Sequence, residues 1–225
     1  MSTRKAFDDR RANTADAEFQ EACMKFGFIG AGEVAQTIAR HILPFGHEVL
    51  LSNSRGPATL AKVVRNLGRG ASAGTPQQAA EQDVVVLSVE WAHVPDALAS
   101  VPDWSGRTLI DATNRINREN PSDLGDLSGR TSSEIVADLA VGAKVVKAFN
   151  TVPMQWINDT SPEKPKTVLF LSGDDAGAKK ALSEVLEQAG FAAVDLGTLA
   201  IGGRQQQVGG PLAGLNLTLA DRFVL

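Results

Sequence analysis

Two closely spaced glycines near the start of the chain give the clearest chemical signal in the sequence. Residues 30–35, GAGEVA, place the pattern G-x-G-x-x-A directly after an apolar run. In this pattern the first glycine allows a tight turn, the second lets the backbone approach a pyrophosphate, and the small third residue lets the next helix pack closely on the strand. Free amides at the helix N-terminus would face the phosphates. The segment therefore predicts a dinucleotide-binding loop formed by Gly30, Ala31, Gly32, Glu33 and Val34, with a merely structural turn as the alternative.

The residues after the second apolar run indicate which dinucleotide would bind. NAD sites usually carry Asp or Glu about 20 residues after the glycine loop, where it binds the ribose 2′-hydroxyl. This chain instead reads Ser52-Asn53-Ser54-Arg55-Gly56, which lacks a carboxylate. Its hydroxyl, amide and guanidinium donors suit a 2′-phosphate. We therefore predict that Asn53, Ser54 and Arg55 select NADP(H), although the same residues would also suit an ordinary polar turn.

Motifs of other enzyme classes are missing from the sequence. It has no G-x-S-x-G of serine hydrolases, no H-E-x-x-H of metalloproteases and no phosphate loop of the form G-x-x-x-x-G-K-[ST]. With 3 histidines and 1 cysteine, it offers no cluster for a metal site. Cys23 cannot close an internal disulfide, which is typical of a reducing compartment and predicts a cytoplasmic protein.

Short apolar runs alternate with stretches of helical periodicity along most of the chain. Because the runs are nearly continuous, they indicate parallel strands covered on both faces. Alternation with helices predicts a doubly wound α/β fold of the Rossmann type, with a mostly parallel sheet. The predicted strands are 25–30, 47–52, 83–89, 107–113, 144–150, 167–173 and 192–197, and the predicted helices are 33–44, 57–67, 76–81, 94–100, 132–140 and 175–189.

Three segments follow from this pattern. Residues 1–23 contain no Val, Ile or Leu, which predicts a mobile or non-native extension, with an amphipathic helix as the alternative. Residues 24–198 form the predicted NADP-binding domain with its acceptor pocket. Residues 199–225 form a C-terminal extension that we expect to be helical near 211–223. The leucines of this segment would lie on more than one helical face, which predicts a homodimer.

Charge and composition exclude several partners. The formal net charge is −4 and the pI is near 5.4, so a basic surface for nucleic acid is not expected. The same balance argues against attraction to a membrane surface. We expect a small-molecule partner.

Several motifs together resemble the NADPH-dependent coenzyme F420 reductases, also called F420H2:NADP+ oxidoreductases. The resemblance covers the chain from Met24 onward, and its motifs are FIGAGEVA (28–35), GHEVLLSNSRG (46–56), SSEIVADL (132–139), KAFNTVP (147–153) and SGDDAGAKK (172–180). The cytosolic NADPH-binding domain of the six-transmembrane ferric reductases is similar and shares the KAFNT segment.

The resemblance implies where the reacting rings would lie. Trp91 and His93 match a Trp-x-His of the family and would lie beside the nicotinamide pocket; packing in a helix–sheet seam for Trp91 and exposure to solvent for His93 are the alternatives. Asn150 would lie near the deazaflavin ring and could hold a ring carbonyl, with a structural cap of the strand end as the alternative. At the position of Asn150 the archaeal enzymes carry histidine. Strand ends of the predicted sheet would line this pocket at Val89, Ala112, Pro153 and Met154.

The resemblance implies hydride transfer between NADP(H) and the deazaflavin coenzyme F420. Such a transfer needs alignment and exclusion of water more than a strong acid or base. Two alternatives stay open at this point. One is an NADPH-dependent flavin or ferric reductase, and the other is a non-catalytic NADPH-binding module.

Overall fold

Nearly continuous apolar segments build the centre of the molecule, because each of the inner strands is buried on both faces. The computed structural model describes residues 23–116, 127–157 and 164–220. Its strands are β1 (Lys25–Ile29), β2 (Glu48–Ser52), β3 (Ala71–Gly74), β4 (Val84–Leu87), β5 (Thr108–Asp111), β6 (Lys144–Ala148), β7 (Lys166–Gly173), β8 (Ala192–Asp195) and β9 (Thr218–Leu219).

These strands form a sheet in the order β3-β2-β1-β4-β5-β6-β7-β8, and β9 pairs with the start of β7. The first six strands are all parallel; Phe26 of β1, for example, lies opposite Val49 of β2 and Val84 of β4. β7 runs antiparallel to β6. The doubly wound, mostly parallel sheet that the sequence predicts is therefore confirmed.

Helices cover both faces of this sheet. The α-helices are α1 (Glu33–Ile42), α2 (Ala61–Leu67), α3 (Pro76–Ala80), α4 (Val94–Ala99), α5 (Ser132–Leu139), α6 (Ala176–Gln188) and α7 (Gly202–Gln206). Single 3₁₀ turns occupy Leu43–Phe45, Pro57–Leu60, Trp91–His93 and Met154–Ile157.

Two hydrophobic cores result from this layering. Ile38 of α1 and Leu182 of α6 pack with Phe28 on one face of the sheet. Leu98 of α4 and Val136 of α5 pack with Leu87 on the other face. The strands between them are thus sealed from water, which leaves their carboxyl ends as the edge where a ligand can approach.

The structure corrects two of the predicted elements. β3 was not expected, because its sequence Ala-Ser-Ala-Gly is small and weakly apolar; it forms by pairing with β2. A helix near 211–223 was expected, but residues 211–214 form turns and 218–219 form β9. Gly209 and Gly214 adopt φ values of 83° and 79°, which end any helical run, and the Val168 amide binds the Leu217 carbonyl.

The predicted extension at 1–23 lies outside the described residues except for Cys23. Within the part of the chain that the structure describes, none of the helices combines the length and the apolar character needed to cross a membrane.

Candidate functional site

The order of the strands creates a crevice at the carboxyl end of β1. From β1 the chain continues on one side to β2 and later returns on the other side to β4. Ligands of open α/β sheets bind in the crevice at such a reversal, outside the carboxyl ends of the strands. The glycine loop lies at this point, between β1 and α1.

Gly30 makes the tight turn that leaves β1. Its φ is 105°, and a Cβ atom there would lie 2.3 Å from the Ser88 carbonyl oxygen. Its amide donates to the Ser52 carbonyl at 3.1 Å, which fixes the loop between β2 and β4. Ala35, the small third position, is fully buried against the strand. Both structural roles expected of these positions are present.

The N-terminus of α1 is open towards the crevice. Gly32 is its N-cap and no side chain caps it, whereas α3, α5 and α6 are capped by Thr75, Thr131 and Asp175. A Cβ atom at Gly32 would meet nothing within 4 Å. The first amides of a helix have no partner within the helix, and its dipole favours negative charge. This arrangement fits a dinucleotide pyrophosphate.

The loop after β2 presents one unpartnered cation. Asn53 holds the loop in shape: its Oδ1 accepts from the Arg55 amide at 3.0 Å, and its Nδ2 donates to Thr59 Oγ1 at 3.0 Å. Ser54 and Arg55 are exposed. The Arg55 guanidinium has no hydrogen bond or ion pair within the described residues. Arg55 is therefore free to bind a phosphate, while Asn53 mainly orders the loop around it.

A cavity of about 350 Å³ lies between this loop and the chain that follows β4. Mostly apolar groups and a few polar side chains line it, as is common for small-molecule sites. The lining residues are Ile29, Gly30, Asn53, Ser54, Pro76, Val89, His93, Asp96, Ala97 and Ser100. Sequence reasoning missed Ile29 at the end of β1. It also missed Pro76, Asp96, Ala97 and Ser100, because positions in and beside short helices have no distinctive pattern.

The structure places His93 and Trp91 in different surroundings. His93 is exposed and lines the cavity together with Asn53 and Ser54. Trp91 is partly buried and packs against the core that contains Leu87. The resemblance places both residues beside the nicotinamide, but the geometry groups His93 with the loop that follows β2.

Asn150 follows the end of β6, and both polar atoms of its side chain are hydrogen-bonded within the protein. Nδ2 donates to the Gln206 carbonyl at 2.7 Å and lies 3.3 Å from Asn114 Oδ1, and Oδ1 accepts from Gln206 Nε2 at 3.0 Å. The residue is 7% exposed. These bonds within the protein leave its amide occupied and assign it a role in fixing the strand end.

A buried ion pair lies next to Asn150. Lys147 Nζ is 3.0 Å from Asp111 Oδ2 and also donates to the Thr113 carbonyl. The Asp111 carboxylate also accepts hydrogen bonds from the amide and hydroxyl of Thr113 and from the hydroxyl of Ser133. Sequence reasoning missed this pair, although an aspartate at the end of one apolar strand and a lysine near the end of the next were the available signal.

The other predicted pocket residues are distributed over both sides of the crevice. Val89 lines the cavity. Ala112 and Met154 are buried in the core against which Ala31 and Val34 also pack, so the glycine loop and the segment after β6 are neighbours. Pro153 is partly buried, and its carbonyl accepts from the Trp156 amide at 3.0 Å.

His41 lies on α1 and is partly buried. Burial lowers its pKa and outweighs a hydrogen bond to the Ile157 backbone, and the positive charge of Arg40 lowers it further. Its ring packs edge-on against Phe191 at 4.9 Å. His41 thus acts as a packing residue. Across the described ranges, no group of three His, Cys, Asp or Glu side chains is placed to hold a metal ion.

The sheet order, the glycine loop and the open helix N-terminus define a Rossmann-type dinucleotide-binding domain. A family model described as "NADP oxidoreductase coenzyme F420-dependent" matches residues 25–115, which include the loop, β2 and the cavity. Residues 25–115 of the chain belong to this family of NADP-dependent oxidoreductases.

Two solved structures are similar over most of the chain. A hypothetical protein from Sinorhizobium meliloti is 39% identical, with a TM-score of 0.80 and coverage of 91% of this chain and 99% of that one. A candidate F420-dependent NADP reductase from Arthrobacter sp. FB24 is 23% identical, with a TM-score of 0.68 and coverage of 87% and 100%. The second likeness shows the fold.

A curated relative is much longer than this chain. The metalloreductase STEAP3 of Rattus norvegicus is 26% identical over 185 residues, which is 82% of this chain and 36% of the relative. The chain therefore spans about a third of that protein.

Proposed function

We propose that the protein transfers a hydride between NADP(H) and the deazaflavin coenzyme F420. The assignment of NADP(H) as the cofactor rests on two features: the N-terminus of α1, which no side chain caps, and the exposed Arg55 guanidinium. One feature binds a pyrophosphate and the other binds a 2′-phosphate. F420 as the acceptor is supported by the description of the matching family.

Each residue in the crevice has a defined task in this proposal. The amides near Gly32 hold the pyrophosphate, and Ser54 and Arg55 hold the 2′-phosphate. The bound nicotinamide supplies the hydride. Ala112 and Met154 are buried in the core against which Ala31 and Val34 pack, and in this proposal these apolar groups exclude water from the nicotinamide.

The strand ends supply position and not proton transfer. Asp111 and Lys147 are the buried titratable groups at the ends of β5 and β6, and each is fully bonded to neighbouring groups. A carbonyl substrate would require an available acid or base within reach. Hydride transfer between two ring systems requires mainly alignment, so this arrangement favours it.

A second candidate acceptor is ferric iron or a flavin. The specific observation is the 26% identity to a metalloreductase over 185 residues. Because this chain spans only 36% of that relative, the activity of the whole relative does not transfer directly.

A steady-state comparison separates the candidates. One batch of protein is given NADPH with F420, FMN or a ferric chelate, and NADPH oxidation is followed for each. Faster turnover with F420 supports the proposal. Undetectable F420 turnover beside measurable FMN or iron reduction establishes the second candidate. NADPH binding without turnover of any acceptor would leave only a cofactor-binding module.

We also propose that the protein is a homodimer joined through its C-terminal segment. Leu215 and Leu217 are 41% and 40% exposed although this segment also pairs with β7. Light scattering at micromolar concentration should give the mass of two chains. The double variant Leu215→Ser/Leu217→Ser should give one chain, and a monomeric wild type would contradict the proposal.

The proposed compartment is the cytoplasm. Cys23 is the one cysteine of the chain, and it is exposed and unpaired as a disulfide. Such a thiol is typical of a reducing compartment. Fractionation of source cells with detection of the native chain would test this location.

A further inference from the structure

Phe149 marks an unusual bend of the chain at the end of β6. It is 5% exposed and has a φ of 61°, in the left-handed region that a bulky side chain rarely adopts. Such a conformation persists only where the surrounding structure holds it, and it is common at functional sites. The path of the chain into Asn150 and Thr151 therefore depends on what fixes the next residues.

Gln206 of α7 fixes Asn150 from a position 56 residues further along the chain. Its backbone carbonyl accepts from Asn150 Nδ2 at 2.7 Å, and its Nε2 donates to Asn150 Oδ1 at 3.0 Å. Both polar atoms of the Asn150 side chain are thus bound by a single residue.

Gln206 is itself anchored to two strands. Nε2 also donates to the Lys147 carbonyl of β6 at 3.1 Å, and Oε1 accepts from Ser172 Oγ of β7 at 3.2 Å. The residue is completely buried. A buried amide with its polar atoms satisfied is rigid and holds one orientation.

Asn150 is in turn hydrogen-bonded to the segment that follows β5. Asn114, which follows β5, donates through Nδ2 to the Asn150 carbonyl at 3.0 Å. In addition, the Gly214 amide donates to the Thr151 carbonyl at 2.7 Å, so the C-terminal segment holds the bend at two points. The carboxyl ends of β5 and β6 are thereby set by residues far from the glycine loop.

We propose that Gln206 is a positioning residue for the acceptor half of the site and acts through Asn150. The inference rests on the proposed function and on the family resemblance, which places Asn150 at the end of β6 near the deazaflavin ring. Gln206 contacts neither the glycine loop nor the cavity beside Asn53. Its removal should therefore disturb transfer to the acceptor and spare NADPH binding.

The first test compares Gln206→Leu with Gln188→Leu. Gln188 of α6 is the control: it is partly buried, and its Oε1 lies 3.1 Å from Nε2 of His47, which precedes the amino end of β2. For Gln206→Leu we expect kcat to fall at least about tenfold, as misplacement of a reacting group does, with KM for NADPH changed less than about twofold. Equal kcat values in both variants, or a rise in KM for NADPH alone, would overturn the proposal.

A double-mutant cycle shows whether the effect passes through Asn150. If it does, Gln206→Leu combined with Asn150→Ala loses no more activity than Asn150→Ala alone. Additive losses would show that Gln206 acts independently of Asn150 and would overturn the proposal.

Amide hydrogen exchange tests the inference independently of any acceptor. In Gln206→Leu, exchange should increase in residues 149–152 and stay unchanged in residues 30–34, and Gln188→Leu should show neither change. Unchanged exchange in 149–152 overturns the inference even if F420 is reduced. If no acceptor is reduced but exchange increases as expected, the proposed function fails and the positioning role stands.

Discussion

Lys147 and Asp111 form an ion pair with a separation of 3.0 Å, and their side chains are 1% and 0% exposed. They come from adjacent strands, β6 and β5, which places the pair directly beneath the strand ends of the candidate site. Buried ion pairs contribute little net stability, because the cost of removing both charges from water is large. Breaking one by removing a single partner is nevertheless strongly destabilising.

The first prediction concerns this pair. Lys147→Met leaves the Asp111 carboxylate buried without its cation and should lower the free energy of unfolding by about 3–5 kcal/mol. The double variant Asp111→Asn/Lys147→Met should recover part of this loss. Urea unfolding of the three proteins measures the difference.

Lys180→Met provides the control for the first prediction. Lys180 pairs with Glu184, and the two side chains are 75% and 57% exposed. Loss of such a surface pair should cost at most about 1 kcal/mol. Similar losses in Lys147→Met and Lys180→Met would show that the buried pair contributes no more to stability than an exposed pair.

A second prediction contrasts two glycines of the first strand and loop. A Cβ atom at Gly27 would lie 1.7 Å from the Ala79 carbonyl oxygen, so Gly27→Ala should destabilise the fold. A Cβ atom at Gly32 would meet nothing within 4 Å, so Gly32→Val should fold normally. It should still abolish NADPH binding, because the branched side chain would occupy the pyrophosphate space.

Thermal unfolding and NADPH titration of both variants check this prediction. The expected result is a lowered Tm for Gly27→Ala and an unchanged Tm without NADPH binding for Gly32→Val. Normal NADPH titration of Gly32→Val would place the phosphate site elsewhere.

Local sequence signals were sufficient for the sheet and the glycine loop. Gly30 and Ala35 were assigned their roles from spacing alone, because the loop chemistry depends on neighbouring positions in the chain. The sequence did not predict β3, because its residues, Ala71–Gly74, carry too little apolar surface to form a recognisable apolar run. It exists only through its pairing with β2.

The acceptor side of the site depends on contacts between distant residues. Gln206 ends the short segment Gly202–Gln206, whose sequence shows no apolar periodicity. Nothing in that segment predicts the contacts of Gln206 with Asn150 and Ser172. The leucines near 211–219 suggested a helix, but the turns at Gly209 and Gly214 and the pairing of β9 with β7 determine that segment instead. Tertiary hydrogen bonds outweighed the local pattern there.

A third prediction concerns pH. Since burial lowers the pKa of His41, the unfolded chain binds a proton more readily than the folded chain below the unfolded value of about 6.5. Stability should therefore fall as the pH drops from about 6.5 towards the folded pKa, and this contribution should be absent above that range. In His41→Gln the decrease in Tm between pH 7.5 and pH 5.5 should be smaller than in the wild type.

His93→Gln is the matched control for this measurement, because His93 is exposed. It should retain the pH dependence of the wild type. If His41→Gln lost as much stability on acidification as the wild type does, other groups would be responsible for the pH dependence.

The last prediction concerns cofactor choice at the loop after β2. Arg55→Ala removes a charge-assisted contact to the 2′-phosphate, worth about 1.5–3 kcal/mol, so NADPH affinity should fall at least about tenfold. NADH affinity should barely change, because NADH lacks that phosphate. Arg69→Ala is the matched control: Arg69 is also exposed but lies before β3, at the opposite end of the sheet from the crevice. Fluorescence titration with both cofactors measures the four affinities, and equal losses of NADPH and NADH affinity in Arg55→Ala would refute a role for Arg55 in 2′-phosphate recognition.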